Sequence, residues 1–133
     1  MGIAEIEGIG PAYGAKLEAA GIRSAEALLK AGATAAGRKT LAEQTGIRAD
    51  LILEWVNHAD LMRIDGVGSQ YADLLEAAGV DSPAELAQRN AKNLAQTFQE
   101  ADAARNTVAR IPSEGMVAGW IEQARGLAKV VEH

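Results

Sequence analysis

The sequence contains no cysteine, which removes disulfide frameworks and thiolate metal sites together. It has no charged-then-apolar leader and no run of about 18 apolar residues, so neither secretion nor a membrane partner is expected, and a cytoplasmic location is the default reading. Only five of the 133 residues are aromatic, whereas 28 are alanine. That mix favours helices packed closely through small side chains. Basic residues are scarce as well: 13 Lys and Arg face 18 Asp and Glu, for a net charge of −5. A nucleic-acid binder usually carries a basic patch, and the chain taken whole lacks that balance. The deficit is uneven. Residues 1–58 hold six basic and seven acidic side chains, and residues 59–133 hold seven and eleven.

What the chain does have is an internal repeat. Ile6-Glu7-Gly8-Ile9-Gly10-Pro11-Ala12-Tyr13 returns 58 positions later as Ile64-Asp65-Gly66-Val67-Gly68-Ser69-Gln70-Tyr71. The register continues: Leu17-Glu18-Ala19-Ala20-Gly21-Ile22 aligns with Leu75-Glu76-Ala77-Ala78-Gly79-Val80, and Ser24 with Ser82. A repeat of this length is one supersecondary unit used twice.

The signals within each repeat are helical. A short helix is expected over Ile3–Glu7, closed by Gly8. Pro11 suits the first turn of the next helix, where its missing N–H costs nothing, and Gly21 marks the end of that helix. Ser24 caps a helix to about Ala31 and Thr34 one to about Thr45, stopped by Gly46. A long helix over Arg48–Arg63 carries the stripe Leu51, Ile52, Trp55, Val56, Ala59 and Met62. The second repeat gives a helix from Gly68 to Gly79, one started by Ser82 and Pro83, and one from Asn90 to about Ala104. After a connection over Asn106–Pro112, Ser113 starts a last helix with the stripe Val117, Trp120, Ile121, Ala124, Leu127 and Val131. Trp55 and Trp120 stand 65 apart, so the second repeat has gained about seven residues before its last helix. No segment alternates apolar and polar residues with β-branched enrichment. The expected fold is all-α: two tandem units, about 3–63 and 61–131, packed without a linker as one pseudo-twofold domain over 1–133.

The hairpins are the candidate site. Glycines at Gly8 and Gly10, or Gly66 and Gly68, allow positive φ and leave the backbone unshielded. The following helix offers free amides and the positive end of its dipole, a combination suited to an anion such as a phosphate. Ile9 and Val67 are expected to tuck inward and fix the turn. Ile/Val-x-Gly-Ile/Val-Gly, followed by Tyr13 or Tyr71 and then Leu17 or Leu75, resembles the helix-hairpin-helix motif. From Ile6 to Leu127 the chain is also similar to an uncharacterised bacterial family of tandem helix-hairpin-helix domains. The shared residues are Leu61-Met62-Arg63-Ile64-Asp65-Gly66-Val67-Gly68, Leu74-Leu75-Glu76-Ala77-Ala78-Gly79-Val80, Arg89-Asn90 with Leu94, and Ile111-Pro112-Ser113 with Trp120-Ile121. The resemblance implies hairpin amides that hold a DNA or RNA backbone without reading sequence. It also implies a monovalent cation as the one cofactor such hairpins sometimes carry, on their carbonyls.

The sequence departs from that pattern where cations are concerned. The first hairpin is supported only by Lys16 and Arg23. The second has no basic residue between Gly68 and Arg89, and its helix carries Asp73 and Glu76. The expected nucleic-acid site is therefore Gly8, Ile9, Gly10, Lys16 and Arg23, while Gly66, Val67 and Gly68 are read as a tight structural turn. A bulky β-branched residue at Gly68 is expected to damage folding more than binding. Tyr13, Tyr71, Trp55 and Trp120 read as packing residues, and Arg38-Lys39 as a solvated pair with a phosphate contact as the other option. Glu132-His133 reads as the trace of a tag, so His133 is given no role.

Catalysis is not expected. His58 has no second histidine near it and no metal-ligand spacing exists. Asp50 and Glu54 lie one helical turn apart, as on many exposed helices. Neither glycine pair opens into Gly-Lys-Ser/Thr, and no nucleophile elbow is present. Two functions stay open: weak, sequence-independent binding of a nucleic-acid backbone, and a protein-interaction or scaffolding role.

Overall fold

The computed structural model describes residues 3, 6, 8–105 and 110–133, and the side chains of all of these except 103–105. Residues 4, 5 and 7 of the expected helix Ile3–Glu7, and residues 106–109 of the connection Asn106–Pro112, lie outside the described residues. Every regular element among them is a helix: α1 (Gly10–Ala19), α2 (Ala25–Ala31), α3 (Ala35–Thr45), α4 (Ala49–Leu61), α5 (Ser69–Ala77), α6 (Pro83–Leu86), α7 (Ala91–Arg105) and α8 (Glu114–Gly126). The chain divides into two compact units, residues 1–60 with 130–133, and residues 61–129. The division falls at the last residue of α4, with no linker segment.

Local chemistry sets most helix ends. The hydroxyls of Ser24, Thr34, Ser82 and Ser113 accept from the backbone N–H groups of Ala27, Gly37, Glu85 and Met116. Each removes one of the unpaired amides of a first turn. Asn90 Oδ1 does the same for Asn93 at the start of α7. The ends of α1 and α5 repeat one motif. In α1, Gly21 has φ +89°, its N–H donates to Glu18 O, and the Ile22 N–H reaches back to Leu17 O. In α5, Gly79 has φ +89°, its N–H donates to Glu76 O, and the Val80 N–H reaches Leu75 O. This paired closure needs a left-handed residue at the glycine and an apolar residue after it, and Ile22 and Val80 are both buried.

In the first unit the buried side chains include Ile9, Leu17, Leu28, Leu41, Ile52 and Trp55. α4 is buried beyond its apolar stripe. Every residue from Trp55 to Leu61 is buried, including Asn57, His58 and Asp60, whereas Leu51 and Met62 are only half-buried. In the second unit α8 packs on α6 and α7, and α7 on α5. Its core joins Leu61, Ile64 and Val67 to Phe98, Val117, Trp120 and Ile121.

One expectation needs correction. Val131 does not extend the stripe of α8: that helix stops at Gly126, Leu127 is extended, and Val131 is buried in the first unit. The extra length of the second repeat is also placed more narrowly. Ala35 and Ala91, which open α3 and α7, stand 56 apart, and Ala49 and Glu114, which open α4 and α8, stand 65 apart. The insertion therefore lies in α7, with 15 residues against 11 in α3, and in the connection after it.

Candidate functional site

The first hairpin is built on two left-handed glycines. Gly8 has φ +90° and Gly10 φ +65°, with Ile9 between them in the right-handed region. Ile9 is buried, as its position between the glycines leads one to expect, and Gly8 is exposed. The next helix starts without a side-chain cap, because Ile9 stands at the capping position and Pro11 follows in the first turn. Behind the turn stands Trp55. A Cβ added at Gly8 would lie 3.5 Å from the indole Nε1, and the Tyr13 ring packs on the indole at 5.1 Å and 58°.

The second hairpin repeats this backing. A Cβ at Gly66, φ +91°, would lie 3.2 Å from Trp120 Nε1, and Tyr71 packs on Trp120 at 5.3 Å and 51°. Val67 is buried like Ile9. The geometry of the second glycine differs. Gly68 has φ −87° and ψ −172°, an extended conformation open to any residue, and nothing lies within 4 Å of a Cβ there. The expectation that substitution at Gly68 damages folding fails for that reason. The turn is held from outside as well: the Gln123 amide accepts from the Asp65 N–H at 2.9 Å and donates to the Asp65 carbonyl at 3.2 Å.

Of the expected cations, Lys16 lies on α1 and Arg23 in the segment between α1 and α2. Lys16 Nζ lies 5.9 Å from the Tyr13 ring centroid, within cation–π reach. Lys16 also lines an open groove of about 360 Å³ with Ala19, Ala20 and Gln44. Arg23 is exposed and follows Ile22, which is tied to Leu17. At about 1.5 Å of rise per residue, Leu17 is roughly 10 Å along the helix from Gly10.

Arg38 is no solvated residue. It is 6% exposed, and its guanidinium donates to Gly32 O at 2.8 Å, Ala33 O at 3.3 Å and Glu132 O at 2.6 Å. Gly32 closes α2, so the cation lies against the negative end of that helix. Lys39, its neighbour in sequence, is exposed. Nor are Glu132 and His133 loose: the Glu132 N–H donates to Ala33 O, and His133 Nε2 lies 2.8 Å from Asn57 Oδ1. Sequence reasoning missed Asn57 because its partner is 76 residues away.

Asp81 and Glu85 share a carboxyl–carboxyl hydrogen bond at the start of α6. That bond, helped by partial burial and the Asp81 charge, raises the Glu85 pKa above the ordinary carboxylate value, while the Asp81 N–H and Arg89 pull it down. Among the described residues no group of three or more His, Asp or Glu is placed to hold a metal ion, and no helix is long and apolar enough to cross a membrane.

Residues 7–127 match the domain of unknown function DUF4332, and the chain belongs to that family. No curated protein and no solved structure matches it.

Proposed function

We propose that this domain is a non-catalytic binding module that holds a nucleic-acid backbone weakly and without reading sequence, through a helix-hairpin-helix turn at Gly8–Gly10. The observation that carries this reading is the first hairpin itself: two left-handed glycines, one of them exposed, ahead of a helix whose first turn no side chain caps. Backbone amides and the helix dipole there suit a phosphate oxygen. Lys16 and Arg23 supply the charge. The second hairpin, with an extended Gly68 and acidic Asp65 and Asp73 around it, serves the fold.

A fluorescence-anisotropy titration with short duplex and single-stranded DNA at low salt tests this. Binding is expected in the weak non-specific range, about 10⁻⁴ to 10⁻⁶ M, equal for unrelated sequences. Lys16→Glu and Gly10→Val should abolish it, and Gly68→Ser should leave it intact. No binding near 100 μM, roughly the weak end of that range, rejects the reading. The acidic balance of the whole chain favours a second reading, a protein-interaction or scaffolding module, which then takes its place.

A further inference from the structure

The residues after α8 leave the helical order and return to the first unit. Leu127 takes an extended backbone, φ −84° and ψ 133°, and Ala128, Lys129 and Val130 are exposed. The next three residues are held closely. Val131 is 1% exposed. The Glu132 N–H donates to Ala33 O at 2.7 Å, and Arg38 Nη2 donates to Glu132 O at 2.6 Å. Glu132 Oε1 accepts from the Ala35 N–H at 3.4 Å, in the first turn of α3, where a carboxylate meets the positive end of the dipole. His133 Nε2 meets Asn57 Oδ1 at 2.8 Å. Arg38 is already fixed by the carbonyls of Gly32 and Ala33, so it meets the segment preorganised.

Each contact reads one feature: an aliphatic side chain, a main-chain N–H and C=O, a carboxylate, an imidazole. Extended peptides are recognised in this way, with main-chain bonds for affinity and side-chain sites for selectivity. We propose that the slot formed by Ala33, Ala35, Arg38 and Asn57 is a docking site for a non-helical aliphatic–acidic–His segment. The chain fills it with its own Val131–His133, and a second copy of the chain can supply the same segment in exchange. A second copy is the fitting occupant because its segment matches every contact in the slot. The exposed, non-helical residues before Val131 also form the kind of hinge through which identical elements swap between copies. One buried side chain and a few hydrogen bonds order three residues against their conformational entropy, so the segment can leave without unfolding the rest of the unit.

The test uses the full chain carrying Val131→Asp, titrated with a labelled peptide of residues 127–133, amidated at its C-terminus. The peptide should bind this variant at least about tenfold more tightly than wild type, where the chain's own segment competes. A peptide with Asp in place of Val131 should bind neither. Failure of the unaltered peptide to bind a folded Val131→Asp chain overturns the proposal. If that variant does not fold, amide exchange on wild type decides: the Glu132 amide should exchange at least about tenfold faster than the amides of α4, and equal protection overturns a releasable segment. A short tether holds the segment at millimolar effective concentration, so exchange between copies should show as dimer in sedimentation of wild type at about 1 mM. Monomer alone at that concentration overturns the exchange.

Discussion

At the scale of single residues, the tryptophans and one arginine hold the most. Trp55 and Trp120 each stand against a left-handed glycine and a tyrosine. Trp55→Ala removes the backing of Gly8 and leaves a cavity, so it should cost about 3–5 kcal/mol. That is a large share of the roughly 5–15 kcal/mol typical of a domain. Urea denaturation that shows a loss under about 1 kcal/mol would contradict this placement. Arg38→Ala strips a buried cation from three carbonyl oxygens and should cost about 2–3 kcal/mol, the scale of hydrogen bonds to charged groups. Lys39→Ala, one position on and exposed, should change stability by less than about 0.5 kcal/mol. In the sequence these two basic residues look alike. What separates them is the carbonyl cluster that α2 and residue 132 bring to one of them.

At the scale of elements, the helix starts and stops were legible because their causes are local. Ser24, Thr34 and Ser113 bond to amides three residues on, and Gly21, Gly46 and Gly79 supply left-handed closures. Gly10 and Gly68 hold the same place in the repeat but differ in backbone: Gly10 has φ +65° and Gly68 φ −87°. Gly10→Ser should therefore cost about 1–2 kcal/mol for forcing a side chain into the left-handed region. Gly68→Ser should stabilise by about 0.5–1 kcal/mol, since Gly68 caps α5 in an extended conformation that serine adopts while accepting a first-turn amide. Thermal melts of the pair measure the difference directly, and equal losses would contradict it. The start of α6 gives a pH test. The Glu85 pKa is raised in the folded state, so folding takes up a proton there and stability falls as pH rises from about 4.3, the ordinary glutamate value, through the folded value. Glu85→Gln should raise the urea midpoint at pH 7 and lose that advantage below about pH 4. An advantage that persists in acid would show that ionisation of Glu85 is not its source.

At the scale of the whole molecule, the charge pattern changes meaning once the chain is folded. By sequence halves the first part looks nearly neutral. By folded units the first holds six basic and nine acidic residues and the second seven and nine, because Asp60 and Glu132 belong with the first. No unit offers a cationic field, so nucleic-acid binding should depend only weakly on salt. If Lys16 and Arg23 each neutralise one phosphate, log K against log salt should have a slope of about −2 on duplex DNA. A slope steeper than about −4 would place the contact surface elsewhere. The sequence alone determined the all-helical character, the repeat, the helix limits set by caps and glycines, and the burial of Ile9, Val67 and both tryptophans. Each of these follows from interactions within a few residues or from one helix face's need to leave water. Tertiary structure alone decided that Arg38 is buried, that Asn57 meets His133, that Gly68 is free of strain where Gly10 is not, and that Val131 leaves its helix for the first unit. In these cases the deciding partner is remote in the chain, and the energy of a buried polar group or a turn depends on what folding brings beside it.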